Sequence, residues 1–89
     1  RVFFTNLGQE EQAAALGLLR ELRDAGVAAE IYPECGKMKK QMEYANRRGI
    51  PYVVIVGSQE LEAKAATVKD MRSGEQRQVP FGELTAYFK

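Results

Sequence analysis

The chain has 89 residues, of which 45% are hydrophobic and 28% are charged, and its formal net charge is +1. These values are ordinary for a globular protein, and we predict a single domain spanning residues 1–89. A single cysteine excludes an internal disulfide framework, and the absence of histidine excludes a Ser-His or Cys-His nucleophilic pair. The chain opens at Arg1 inside a predicted strand, without methionine, so we expect a fragment of a longer protein.

The charge is distributed unevenly along the chain. Residues 1–36 carry three basic and six acidic groups, a balance of −3. Residues 37–49 carry five basic groups and one acidic group, a balance of +4, and residues 50–89 carry five of each. Local imbalance bears on binding partners more directly than the net charge does. Any anionic partner is therefore expected at residues 37–49.

The first 48 residues alternate between strand and helix patterns. Val2–Phe4 predicts a short buried strand, and residues 9–25 have the periodicity of a helix that buries one face. That face is formed by Ala15, Leu18, Leu19 and Leu22. A second strand is predicted at residues 27–32, where the charge of Glu30 favours a position at the sheet edge. A second helix is predicted at residues 37–48. Its apolar stripe consists of Met38, Met42 and Ala45.

The run Tyr52-Val53-Val54-Ile55-Val56 is the strongest strand signal in the chain. A continuous run rich in β-branched residues is typical of a strand covered on both faces, so we predict that it is the central strand. Ser58 is expected to cap a short helical turn through residues 59–62. Residues 66–71 and 75–79 predict a hairpin that turns at Ser73-Gly74. A final helix is predicted from the stripe of Phe81, Leu84 and Phe88.

This order of elements, β-α-β-α-β-β-β-α, predicts the α/β class. We expect a mixed five-stranded sheet in a three-layer α/β/α arrangement, in which strands joined by helices are parallel. The hairpin makes the fourth strand antiparallel to the fifth. Ligand sites of open α/β sheets lie at the carboxyl ends of the strands, so the loop after Gly57 is expected in such a site.

The familiar phosphate-binding and redox motifs are absent from the sequence. Neither GxGxxG nor GxxxxGK[ST] occurs, and Cys35 lacks the second cysteine of a Cys-x-x-Cys site. These absences favour a binding module over an enzyme. A small-molecule enzyme of the flavodoxin-like kind is the alternative, and it would need a phosphate loop that the sequence does not offer.

Lys37, Lys39 and Lys40 lie in the first turn of the predicted second helix. Cations there face the positive end of the helix dipole, which costs about 0.3–1 kcal/mol each at low salt. A bound polyanion would reverse the sign of that effect, so these lysines are candidate phosphate-binding residues. A solvated basic face without a ligand is the alternative. The residues alone therefore predict an α/β module that binds an anion or RNA, and leave the solvated face open.

Six segments, in order and distributed over essentially the whole chain, carry a resemblance to a known family. They are Val2–Gly8, Leu22–Val27, Gly36–Gln41 with Ala45 and Gly49, Val56–Leu61, Thr67–Met71 and Ser73–Gln76. Together they resemble the C-terminal anticodon-binding domain of class II aminoacyl-tRNA synthetases. The Thr-Val-Lys-Asp run followed by Gly-Glu-Gln favours the histidyl branch over the threonyl, prolyl and glycyl ones.

The resemblance implies that anticodon bases are read at three places. These are the loop Glu34–Lys37, the turn centred on Glu60, and the fourth strand at Lys69. A carboxylate can accept hydrogen bonds from a base edge, and a lysine can donate to guanine or phosphate. The RNA-binding residues implied are Glu34, Cys35, Lys37, Lys40, Gln41, Glu60 and Lys69, with phosphates held by Lys37, Lys39 and Lys40. Lys69 stands where related domains often carry arginine, and Cys35 where a polar residue is expected.

The resemblance also implies the activity of a longer protein. The full-length enzyme would ligate histidine to its tRNA with ATP and magnesium, as a cytoplasmic homodimer, in a catalytic domain absent from these residues. Within this domain no cofactor, metal, membrane or DNA is expected. The expected partners are the anticodon stem-loop of a histidine-accepting tRNA and the protein's own catalytic domain. The alternative is a non-catalytic, synthetase-like regulatory or protein-interaction domain with the same fold.

Overall fold

The computed structural model describes residues 2–88, and it contains five strands and four α-helices. The strands are β1 (Val2–Phe4), β2 (Ala29–Ile31), β3 (Tyr52–Ile55), β4 (Ala65–Asp70) and β5 (Gln76–Pro80). The helices are α1 (Gln9–Asp24), α2 (Met38–Arg47), α3 (Ser58–Ala63) and α4 (Leu84–Phe88), the last preceded by a 3₁₀ turn at Phe81–Glu83. Arg1, expected to open the first strand, and Lys89 lie outside the described residues.

The five strands form one mixed sheet in the order β2-β1-β3-β4-β5. β1 pairs in parallel with both β2 and β3, whereas β4 is antiparallel to β3 and to β5. The predicted mixed five-stranded sheet is confirmed, with β3 in the middle and the two charged or polar strands at the edges. Because β1, β2 and β3 are parallel, their carboxyl ends meet along one side of the sheet, which we call the carboxyl edge.

Apolar side chains cover both faces of β3, which explains its unbroken hydrophobic run. On one face, Val54 belongs to the larger cluster, together with Phe4 and Leu84 and the predicted α1 stripe of Ala15, Leu18, Leu19 and Leu22. On the other face, Val53 packs in a smaller cluster with Phe3, Ile50 and Ala45 of α2. Helices thus lie on both sides of the sheet, and burying each large apolar side chain contributes about 1.5–3 kcal/mol. The three-layer prediction is confirmed.

Glycines end the two long helices. Gly26 follows α1 with φ of +89°, and Gly49 follows α2 with φ of +67°. This left-handed conformation allows the Gly26 N–H to donate to Arg23 O at 3.0 Å, and the Gly49 N–H to Asn46 O at 3.1 Å. Both helices therefore stop where the sequence predicts, and β2 and β3 can begin at the opposite side of the sheet from the carboxyl edge.

Two local predictions need correction. Met38 and Met42 of the predicted α2 stripe are only half-buried, whereas Gln41 is fully buried beside Ala45. The prediction of a buried stripe missed this amide because it considered apolar residues only.

The second correction concerns the start of α3, where Gly57 and not Ser58 is the N-cap. The Glu60 carboxylate, three residues on, accepts the N–H of the N-cap residue Gly57 at 2.8 Å, and no hydroxyl caps this helix.

Candidate nucleic-acid interface

Helices α1, α2 and α3 all begin at the carboxyl edge, because each follows one of the three parallel strands. The loop after β1 lies between the other two loops and is bonded to both. Thr5 N–H donates to Val54 O at 3.1 Å, and its hydroxyl accepts the Val56 N–H at 3.4 Å. On the other side, Gly36 N–H donates to Asn6 O at 3.3 Å. The start of α2 and the start of α3 are therefore held on the same edge of the sheet.

The three helix N-termini at this edge differ in charge. The first turn of α1 carries Glu10 and Glu11, and the first turn of α3 carries Glu60. The first turn of α2 contains no acidic residue, and its N-cap, Lys37, makes no side-chain capping bond. Acids stabilise the positive end of a helix dipole and cations destabilise it. The α2 terminus is thus the one that is neither neutralised nor capped by its own side chains.

The lysines at the start of α2 are all on the surface. Lys37, Lys39 and Lys40 are each exposed, and so are Glu34 and Cys35 in the preceding loop. The Cys35 thiol donates to Asn6 Oδ1 at 3.4 Å. Exposed ammonium groups beside unpaired helix N–H groups are suited to binding phosphate. The structure therefore keeps the predicted phosphate-binding residues together and accessible.

Glu60 is held by hydrogen bonds at both carboxylate oxygens. Oε1 accepts the Gly57 N–H at 2.8 Å, and Oε2 accepts the Thr67 hydroxyl at 3.1 Å. Because each oxygen has two lone pairs, each keeps one free for another donor. Glu60 is half-buried, so its orientation is fixed while part of it remains accessible. It stabilises the start of α3 and can also accept a hydrogen bond from a base edge.

Part of one sheet face carries polar side chains and lies beside α2. Ala66 and Val68 of β4 point into the larger cluster, so the alternating Thr67 and Lys69 point to the opposite face. In β5, Gln78 pairs with Thr67 and Gln76 with Lys69. We call Thr67, Lys69, Gln76 and Gln78 the open sheet face; the two glutamines are exposed and the other two residues half-buried.

The open sheet face connects two of the predicted base-reading positions. Thr67 holds the Glu60 carboxylate, and Lys69 lies two residues further along the same face, about 7 Å at the usual strand rise. Lys69 pairs with Val53, so it lies further from the carboxyl edge than Glu60 does. Glu60 and Lys69 therefore share one face, whereas α2 begins after β2, at the other end of the strand order along the same carboxyl edge.

Gln41 is the exception among the predicted contact residues. It is 0% exposed, and its Nε2 donates to Asn6 O at 2.7 Å and to Gly36 O at 2.9 Å. Its Oε1 accepts the Asn6 N–H at 2.6 Å. An RNA contact by this side chain would require those bonds to break inside the protein. We therefore replace the expected contact by a different role, argued below.

Two tyrosines that could have stacked on bases are instead packed against other rings. Tyr32 meets Phe3 and Tyr44 edge-on, at centroid distances of 6.1 and 5.3 Å. Tyr52 meets Phe88 in the same way, at 5.3 Å. Both tyrosines are half-buried, and each packs against one of the two apolar clusters.

A repeated spacing signal at the carboxyl edge could have been found in the sequence. Gly8 and Glu11 at the start of α1 have the same spacing as Gly57 and Glu60 at the start of α3. In both cases a Cβ on the glycine would lie close to the glutamate Oε1, at 2.6 and 2.9 Å. The Gly-x-x-Glu spacing thus marks helix starts in which a carboxylate folds back over the N-cap. Lys37-Met38-Lys39-Lys40 occupies the equivalent positions of α2.

Among residues 2–88, no helix is long and apolar enough to cross a bilayer. The same residues place no group of three or more histidine, cysteine, aspartate or glutamate side chains where they could hold a metal ion.

Comparison with known proteins identifies similar sequences and structures. A family model described as an anticodon binding domain matches residues 1–89. Histidine–tRNA ligase of Phocaeicola vulgatus is 49% identical over 88 residues, which is 99% of this chain and 19% of that protein. The ligase of Christiangramia forsetii is 43% identical over 89 residues, 100% of this chain and 20% of the relative.

Among solved structures, histidyl-tRNA synthetase from Nostoc sp. PCC 7120 superimposes with a TM-score of 0.90 and 31% sequence identity. The superposition covers 97% of this chain and 21% of that one. The chain therefore spans about a fifth of the length of the relatives that it matches.

Proposed function

Since this chain belongs to the anticodon-binding domain family, we propose that it binds the anticodon stem-loop of a histidine-accepting tRNA. The observation that carries the proposal is the start of α2, where three exposed lysines surround an uncapped helix N-terminus. That arrangement is unfavourable for a free helix and favourable beside phosphates. The other two helices that begin at the same edge have acidic first turns, so the lysines of α2 are not part of a uniformly basic edge.

Each proposed contact follows from the chemistry of its side chain. Lys37, Lys39 and Lys40 bind phosphates, because ammonium groups and helix N–H groups both attract them. Glu60 accepts a hydrogen bond from a base, since both of its oxygens keep a free lone pair. Lys69 donates to a base or phosphate from the open sheet face. In the loop before α2, the exposed Glu34 and Cys35 contact a neighbouring nucleotide.

Lys69 contacts its nucleotide through a single ammonium group. An arginine would offer a planar fork that could bind two acceptors of guanine at once. A lysine on β4 gives one point charge with rotatable donors, which suits either a guanine edge or a phosphate. We therefore expect Lys69 to contribute more to affinity than to base preference.

We further propose that the chain is the tRNA-binding part of a longer ligase. Support comes from the relatives, which are histidine–tRNA ligases about five times as long as this chain. Such a ligase would attach histidine with ATP and magnesium, in the cytoplasm and as a homodimer, in a catalytic domain outside these residues. Residues 1–89 would form one domain whose task is to hold the anticodon end while the acceptor end reaches that catalytic domain.

The test is binding of RNA stem-loops that differ only in the anticodon. A stem-loop with a GUG anticodon should bind the chain more tightly than one with a scrambled loop. Both affinities should fall as salt rises, because phosphate contacts release counterions. Equal affinity for the two loops, with no dependence on salt, would contradict the proposal and favour a protein-interaction domain.

A further inference from the structure

Gln41 is a buried amide that forms hydrogen bonds with the loop after β1 and with the loop before α2. Its two N–H groups are taken by Asn6 O and Gly36 O, and its oxygen accepts the Asn6 N–H. A glutamine has two donors on nitrogen, so no donor is left over. The three bonds join α2 to the end of β1 and to the residue immediately before Lys37.

Asn6 extends the same set of bonds to the rest of the loop. It is 1% exposed, and its Nδ2 donates to Tyr32 O at 3.1 Å while its Oδ1 accepts the Cys35 thiol at 3.4 Å. Its backbone oxygen also accepts the Gly36 N–H at 3.3 Å. We call the side chains of Asn6 and Gln41, with these bonds, the Asn6–Gln41 clamp. It binds the loop of residues 32–37 near both of its ends.

A buried amide pair is an unusual choice for holding a helix on a sheet. An apolar side chain at position 41 would extend the thin stripe of α2 without any hydrogen-bond requirement. A buried amide is tolerated only when its bonds are all made, and it then fixes one geometry. The loop itself has little else to define it, because residues 33–37 are all exposed. Position 41 therefore specifies where the loop lies.

The loop held by the clamp carries three of the proposed RNA contacts, Glu34, Cys35 and Lys37. We propose that Asn6 and Gln41 are positioning residues of the RNA interface, which order this loop before RNA binds and do not touch the RNA. The proposal rests on the proposed function and adds a specific role within it. An ordered loop loses less conformational freedom on binding, so its contacts yield more affinity.

The test combines Gln41→Met with single substitutions at two contact residues. Methionine keeps the length of the side chain and removes all three hydrogen bonds. In the wild-type background, Lys37→Ala and Lys69→Ala each weaken binding of a GUG stem-loop. In the Gln41→Met background, Lys37→Ala should lose most of its effect, whereas Lys69→Ala should keep it, because β4 is not held by the clamp. Gln41→Met alone should weaken binding about tenfold.

Asn6→Asp is a second variant with a smaller structural change. It retains the backbone bonds to Gln41, but it replaces the donor that faces Tyr32 O by an oxygen. It should weaken stem-loop binding in the same direction, and it carries the test if Gln41→Met does not fold. Thermal unfolding of each variant establishes that it is folded at the assay temperature.

Two results would overturn the positioning role. One is wild-type affinity in folded Gln41→Met or Asn6→Asp. The other is equal retention of the Lys37→Ala and Lys69→Ala effects in the Gln41→Met background. If the wild-type chain bound no stem-loop, the proposed function would fail instead. Amide hydrogen exchange would then test whether the clamp orders the loop. Faster exchange at the Gly36 N–H in Gln41→Met would support this ordering, and unchanged exchange would contradict it.

Discussion

The starts of α1 and α2 lie at the same edge of one sheet and carry opposite charges. Helix α1 begins with two glutamates, and a carboxylate folds back over its N-cap glycine. Helix α2 begins with a lysine N-cap and two more lysines, with no capping side chain. The first arrangement stabilises the helix and the second destabilises it by about 0.3–1 kcal/mol for each cation. This difference is the basis of the proposal that the start of α2 binds phosphates, whereas the start of α1 only stabilises its helix.

From this comparison we predict that acidic substitutions at the start of α2 raise the stability of the protein and lower its affinity for RNA. Replacing Lys39 and Lys40 with glutamate gives α2 the charge pattern of α1. The free energy of unfolding should rise by about 1–2 kcal/mol, because two unfavourable dipole interactions become favourable. Stem-loop affinity should fall by at least about tenfold, since phosphates would meet carboxylates. Chemical denaturation and a binding titration on the same variant measure the two effects.

The matched control is the other end of the same helix. Arg47→Glu with Arg48→Glu makes the same change in charge, but these arginines complement the negative end of the dipole. This variant should lose stability, and it should bind the stem-loop much more tightly than the lysine variant does. If both variants lost affinity equally, the effect would follow from net charge and not from the α2 N-terminus.

A smaller effect is expected at α3, where the helix start combines capping with proposed base reading. In Glu60→Gln, the amide oxygen can still accept the Gly57 N–H, but the amide nitrogen cannot accept from a base or from Thr67. Preference for the GUG loop over other anticodons should fall several-fold while most of the affinity remains. Titrations with matched stem-loops measure this preference.

Thr67→Val serves as the control for Glu60→Gln. It removes the same 3.1 Å hydrogen bond to Oε2 and leaves the carboxylate in place. Anticodon preference should therefore survive in Thr67→Val. Equal loss of preference in both variants would show that the orientation of Glu60 matters and not its charge. An unchanged preference in Glu60→Gln would refute base reading at this turn.

The smallest effect is expected at Cys35. Its thiol makes one long bond to Asn6 Oδ1, at 3.4 Å, and a serine hydroxyl can donate to the same oxygen. Cys35→Ser should change stem-loop affinity less than about twofold, because single weak surface contacts contribute little. A tenfold loss would contradict this expectation and would mean that a hydroxyl cannot replace the thiol at this position.

The sequence predicted the sheet because β3 and α1 have strong hydrophobic patterns that restrict where each can lie. A continuous run such as that of β3 must be covered on both faces, and the α1 stripe supplies one of the covers. The resemblance to the anticodon-binding domain was likewise recognised from ordered segments, and it is confirmed by the match over residues 1–89.

The tertiary contacts of the candidate site were harder to predict. Thr67 holds Glu60 only because β4 returns antiparallel to β3, in a register that no local pattern specifies. Gln41 was expected to contact RNA from the resemblance alone, and no pattern in the sequence predicted its burial. Its burial depends on backbone groups of Asn6 and Gly36, which are 35 and 5 residues away and carry no signal in the sequence.

The salt dependence of stem-loop binding tests most directly whether the α2 lysines hold phosphates. Wild-type chain and a variant with Lys37, Lys39 and Lys40 all replaced by alanine are titrated across a range of salt concentrations. If each lysine neutralises one phosphate of a single-stranded loop, the slope of log affinity against log salt should become shallower by about 2 in the variant. Identical slopes for the two proteins would contradict the account.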